Sequence, residues 1–169
     1  VKGILKNRSF LLLMVNIFIV LGIFNAVMTW IEVILKPRGI DSAQAGVIGS
    51  VLVVVGLAGA VVIPLVSDKL ERRRPLLLYP LMAAVVAFAA FTFSPSYGLL
   101  IAAAAVLGFS IMGMGPVAFQ YGAEIGYPLP EGTSYGLLMV MGQISGILFV
   151  TAMDALAKTG GGTMNTALY

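Results

Sequence analysis

The side chains able to do chemistry in this chain are few, and they are of a restricted kind. There is no histidine and no cysteine. That removes imidazole acid–base work, thiol nucleophiles, disulfides and the commonest metal ligands. The carboxylates Glu32, Asp68, Glu124, Glu131 and Asp154 all fall near the ends of long apolar runs, never at their middles. No nucleophile–base pair and no metal cluster is visible, so an enzyme is the weakest class. What the apolar runs do carry is neutral and polar: Asn25, Thr29, Gln120 and Gln143. Gln143 stands eleven residues past Gly132 and eleven before Asp154, halfway along its run. A primary amide has two donors and an acceptor, and lipid offers them no partner. Such residues bind; they do not transform. Either they line a water-filled cavity, or they hydrogen-bond a neighbouring helix.

The elements that hold these residues follow from composition. The chain has 169 residues, of which 60% are hydrophobic and 10% charged, with a mean hydropathy of +1.04. A soluble domain carries far more charge than this, so the class is an all-α integral membrane protein. The net charge of +3 arises from basic residues at membrane edges and does not point to nucleic acid. No cofactor is implied.

One charged island, residues 64–75 (PLVSDKLERRRP), sets the orientation. It holds Asp68, Lys69, Glu71, Arg72, Arg73 and Arg74 between two uncharged stretches, which reads as a short cytoplasmic loop. With the amino terminus inside, the inner segments hold Lys2, Lys6, Arg8, Lys69, Arg72, Arg73 and Arg74. The outer segments hold only Lys36, Arg38 and Lys158. The location expected is a plasma or cell inner membrane, crossed several times.

Five spans are predicted, at about 9–31, 44–66, 76–93, 97–124 and 132–153. The first is too long for a signal-peptide core of roughly 7–15 residues, and the chain begins with Val1, as a piece of something longer would. Glu32 and Lys36 are placed for an (i, i+4) pair at the end of the first span. Pro37 and Gly39 stop that helix, and Asp41 or Ser42 caps the next. Ser94-Pro95-Ser96 divides the third span from the fourth. Gly46, Gly49, Ser50, Gly56, Gly59 and Ala60, and the pair Gly142 and Gly146, predict close helix packing. Pro116 predicts a bend. By helical spacing Gly22, Asn25, Thr29 and Glu32 share one face of the first span, and Gly113, Pro116, Gln120 and Glu124 one face of the fourth. Trp30 is placed as an interfacial anchor.

Residues 39–75 resemble the major facilitator superfamily of transporters. The loop pattern of that family is close to G-x-x-x-D-[RK]-x-G-[RK]-[RK]. Asp68, Lys69, Arg72 and Arg73 match it, while Pro64 and Glu71 stand where the family prefers Gly. Residues 113–149 are similar to the tenth and eleventh helices of the heme/choline-type facilitators related to the feline leukaemia virus subgroup C receptor. The matching positions are Glu124, Tyr127-Pro128, Glu131-Gly132-Thr133-Ser134, Gly136-Leu137-Leu138 and Gly142-Gln143. The resemblance implies the carboxy-terminal half of a twelve-helix solute transporter, with the five spans as helices seven to eleven. The amino-terminal half and the twelfth helix would be missing partners. It implies alternating access and a small-molecule solute as ligand. Because no carboxylate lies at mid-membrane, either a proton-coupling group is in the missing half or transport is facilitative, and the resemblance leans toward the second. Gln143, Asn25, Thr29 and Gln120 become substrate-binding candidates. Asp68, Lys69, Arg72, Arg73, Glu124 and Glu131 become gating candidates, with Asp68 bracing a neighbouring helix end. Asn25 corresponds to an aromatic of those facilitators, and its loss removes a cation–π surface. The alternative is a non-transporting receptor or assembly partner built on the same fold.

Overall fold

The computed structural model describes residues 7–70, 73–94 and 96–159. It is all-helical there, with five helices long and apolar enough to cross a membrane: α1 (Arg8–Leu35), α2 (Ser42–Leu70), α3 (Arg73–Phe93), α4 (Tyr97–Ile125) and α5 (Glu131–Thr159). Local chemistry explains most of the boundaries. Asn7 caps α1, its Oδ1 accepting from the Ser9 N–H at 3.0 Å. At the other end of α1 a 3₁₀ turn, Lys36–Arg38, runs into Gly39 at φ +74°, a left-handed position that suits glycine. Asp41 then caps α2 reciprocally with Gln44. The Gln44 N–H donates to Asp41 Oδ1 at 2.7 Å, and the Asp41 N–H to Gln44 Oε1 at 3.3 Å. α4 runs unbroken through Pro116, and α2 and α3 likewise through Pro64 and Pro80.

The Glu32–Lys36 pair does not form among the described residues. α1 ends at Leu35, so Lys36 leaves the helical register, and the Glu32 carboxylate instead accepts from Ser42 Oγ.

The chain divides into two compact units. One comprises the described residues 7–29 and 118–154. Here α1 and α5 notch together through glycines from both helices. A Cβ on Gly22 would lie 2.7 Å from the Phe149 ring, one on Gly142 2.6 Å from Leu21, and one on Gly146 3.2 Å from the Asn25 amide. Phe149 meets Phe18 edge-on at 6.0 Å. The end of α4 joins them at Gly122, where a Cβ would meet Leu138 at 2.5 Å and Leu13 at 3.2 Å. Asn7 donates to the Ile125 carbonyl at 2.9 Å, so one amide serves the start of α1 and the end of α4.

The other unit comprises residues 30–117 and 155–159. Its seam is α2 against α4, and there the two backbones touch. A Cβ on Gly59 would lie 2.8 Å from Phe109 Cα, and one on Gly113 2.9 Å from the carbonyl carbon of Gly59. A Cβ on Gly108 would overlap the Leu52 carbonyl. Small residues permit this approach, and in a bilayer the close packing supplies the attraction that hydrophobicity cannot. Arg38 closes the end of α3. Its guanidinium donates to the carbonyls of Phe91 at 2.7 Å, Thr92 at 2.5 Å and Ser94 at 3.3 Å. Those are orphan acceptors at a negative helix end, on residues that are themselves buried. Arg38→Met keeps the stem and removes all three bonds. It is expected to destabilise the protein by about 3 kcal/mol, the scale of lost charge-assisted bonds, read as a fall in melting temperature that Arg38→Lys only partly reverses.

Candidate functional site

Asn25, Thr29, Gln120 and Gln143 all lie in the first unit, and all four are exposed. α1 carries Asn25 and Thr29 one turn apart. Among the described residues neither reaches a neighbouring helix by a hydrogen bond. The Asn25 amide donates to the Leu21 carbonyl at 2.8 Å, and the Thr29 hydroxyl to the Asn25 carbonyl at 2.8 Å. Each therefore spends a donor on its own helix, and each keeps its acceptor oxygen open among the described residues. Asn25 rests against Gly146, which lies less than one turn along α5 from Gln143.

The Gln143 side chain makes no hydrogen bond among the described residues. It stands on an open face of α5 with Gly136, Met139 and Ile147, where the side chain has room. Its neighbour Ser145 is the opposite case, buried and satisfied by the Gly142 carbonyl at 2.7 Å. Gln120 lies near the end of α4, next to Phe119, whose ring stacks on Tyr135 at 4.6 Å. The electrostatics of this group are neutral. Glu124 and Glu131 are exposed at the end of α4 and the start of α5, where Glu131 suits the positive helix end. Each of these exposed polar side chains can hydrogen-bond a polar solute, and no group of three or more metal-ligating side chains occurs among the described residues.

Two glycines on the faces given by spacing are buried. Gly22 is buried under Phe149 and Gly113 against α2, so the open polar faces begin at Asn25 and at Pro116. Trp30 also departs from a simple anchor, because its indole N–H is buried without a partner among the described residues.

The charged candidates Asp68, Lys69 and Arg73 belong to the second unit, whereas Glu124 and Glu131 belong to the first. Arg73, the first residue of α3, donates to Asp68 at 3.1 Å and to the buried Ser67 hydroxyl at 3.4 Å. The side chains are 18% and 57% exposed respectively for Arg73 and Asp68. This ties the end of α2 to the start of α3, but a pair this wet adds little stability. Lys69 is exposed in the last turn of α2, and Arg72 lies outside the described residues.

Sequence reasoning missed Asn7, Arg38 and the Phe119–Tyr135 stack. Asn immediately before a helix start is a capping signal that could have found the first. Nothing local announces contacts to carbonyls more than fifty residues away.

Comparison with known proteins shows what the chain is similar to. The choline/ethanolamine transporter FLVCR1 of Felis catus is 34% identical over 160 residues, covering 92% of this chain and 29% of the cat protein. Solute carrier family 49 member A3 of Xenopus tropicalis is 30% identical over 162 residues, 94% of this chain and 34% of that protein. A protein of Archaeoglobus fulgidus is 29% identical over 157 residues, 92% of this chain and 71% of its own length. The chain thus spans about a third of the length of the two transporter-type relatives. The family profile described as Major Facilitator Superfamily matches residues 1–150. Five membrane-length helices, a basic turn carrying the Asp68 motif and a profile match over most of the chain agree: the chain belongs to the Major Facilitator Superfamily.

Proposed function

We infer that this chain forms helices seven to eleven of a facilitative solute transporter that works by alternating access together with an amino-terminal half and a twelfth helix. The observation that carries the reading is Gln143, a mid-helix amide on an open face with no hydrogen bond among the described residues. A group of that kind inside a bilayer is expensive unless it meets water or a solute. Asn25, Thr29 and Gln120 add acceptors and a second amide. FLVCR1 relatives are named for choline and ethanolamine. With Asn25 in place of an aromatic, the site suits a small polar or zwitterionic solute at least as well as a quaternary ammonium.

Uptake into vesicles tests this. A polypeptide carrying both halves is expected to show saturable uptake of ethanolamine, and Val1–Tyr169 alone none. Equal saturable uptake by the shorter chain would overturn the half-protein reading. Absence of flux for a panel of amines and zwitterions would favour a receptor.

Asp68 is assigned to the switch between states rather than to the solute. Asp68→Asn in the two-half protein is expected to slow turnover several-fold while leaving solute affinity and melting temperature close to the parent's, since the exposed Arg73 pair is worth about 0–1 kcal/mol. Normal turnover would make Asp68 a solvated end charge only. Orientation is tested separately. Lys69→Cys, in a chain with no native cysteine, is expected to resist an impermeant maleimide added outside intact cells and to react once the membrane is opened.

A further inference from the structure

The α1 side of the group around Gln143 has a definite hydrogen-bonding sense. The Asn25 side chain faces the Leu21 carbonyl at 2.8 Å, and only an amide nitrogen can bond there. The same nitrogen is the atom nearest to where a Cβ on Gly146 would stand, at 3.2 Å. The amide is planar, so with its nitrogen held between Leu21 and Gly146 its oxygen is turned away from both. Thr29 has one hydroxyl hydrogen and gives it to the Asn25 carbonyl at 2.8 Å, which leaves its lone pairs. Both residues are exposed. On this side α1 thus presents two oriented acceptors, one turn apart.

The seam sets the level of Gln143 against them. A Cβ on Gly142 would meet Leu21 and one on Gly146 would meet Asn25, so a step of four on α5 matches a step of four on α1 and the two helices run parallel. In that register Gln143 stands three residues before the level of Asn25, roughly 4.5 Å, and Thr29 four residues beyond it, roughly 6 Å. The three form a row about as long as a small solute with a polar group at each end. Aromatic faces lie elsewhere. Phe149 covers Gly22 within the seam, with Phe18 against its edge. Tyr135, stacked on Phe119, is eight residues from Gln143, roughly 12 Å along α5.

A primary ammonium carries three N–H donors. Each gives up water on entering a site at bilayer depth, and an oxygen must take over. A quaternary ammonium has no donor, and aromatic faces are what hold it. We propose that Asn25 and Thr29 select the solute by its N–H donors, so that the site takes a protonated primary amine and discriminates against its N-methylated forms, an assignment that rests on reading these residues as the solute site. Gln143, which donates as well as accepts, takes the other polar end of the solute.

The test is competition against labelled ethanolamine uptake in the two-half protein, with ethanolamine, its N-methyl and N,N-dimethyl forms, and choline. All carry one positive charge at neutral pH and the same hydroxyl, and their N–H donors fall from three to none. Competition should weaken with each methyl, about tenfold or more across the series. Thr29→Val removes the hydroxyl at constant shape. It should cut that ratio about threefold or more, by weakening ethanolamine and leaving choline unchanged, whereas Thr29→Ser should keep it. Asn25→Leu should act as Thr29→Val does. Should it melt early through its place on Gly146, Thr29→Val reports alone. Choline competing as well as ethanolamine would overturn the proposal and leave the transport reading standing. A ratio unmoved by Thr29→Val would assign the discrimination to size and overturn it equally. Absence of uptake of ethanolamine would instead strike the transport reading, and the proposal with it.

Discussion

Gly108→Ala should be among the most damaging single-methyl changes in this protein. The added carbon has no space, because it would overlap the Leu52 carbonyl, and a carbonyl inside a hydrogen-bonded helix cannot rotate away. Either α2 and α4 separate or one of them distorts. Overpacking of this kind costs about 3 kcal/mol when backbone rather than a side-chain tip must move. Gly59→Ala, against Phe109 from the other side of the seam, should match it. Gly46→Ala is the internal control, since it lies on the same helix with nothing within 4 Å of the new carbon. The measurement is thermal unfolding in detergent followed by monodispersity. A Gly108→Ala protein as stable as the Gly46→Ala one would mean that the backbones are not in contact.

Gln143→Leu should act in the opposite way, costing function and sparing the fold. The amide makes no hydrogen bond among the described residues, so its removal strands no partner. Leucine of similar size on an open helix face in a bilayer is well accommodated. If the amide meets the solute, one lost polar contact should weaken binding about tenfold or more, equivalent to about 1.4 kcal/mol. The readout is solute affinity in the two-half protein beside its melting temperature. Lost stability would identify Gln143 as a bond between helices. Unchanged affinity would place the site elsewhere.

The contrast between these two residues also shows what the amino-acid order makes legible. Breakers and caps act over a few residues, so the Pro37–Gly39 stop, the Asp41 cap and the division at Ser94 can be read from sequence and stand in the structure. Five apolar runs are equally plain, because hydropathy needs no partner. Facing is another matter. In a soluble helix a polar stripe marks the outside, but these helices are apolar nearly all the way round. Spacing therefore grouped Gly22 with Asn25 and Gly113 with Gln120, although both glycines are buried in helix seams. Gly142 and Gly146 could be read as a packing pair, but not that α1 is what they pack on. Arg38 was legible as a loop charge and not as the cap of α3, whose carbonyls lie more than fifty positions later. Among the polar candidates, mid-span depth could be counted from sequence. Whether an amide is already satisfied depends on geometry alone.

The α2–α4 seam has a further consequence for how the chain is made. Gly56 and Gly59 leave the ribosome some fifty residues ahead of Gly108 and Gly113. At about 5–20 residues per second, the interval is roughly 3–10 s. Throughout it α2 can already be in the membrane with its glycine stripe unmatched, while α3 is being threaded. Any other helix with small residues, including α2 of a second nascent chain, can occupy that stripe first. The surface that locks the finished unit is thus also the one most open to mispairing during biogenesis, and slowing translation between residues 60 and 105 should raise the yield of misassembled dimers.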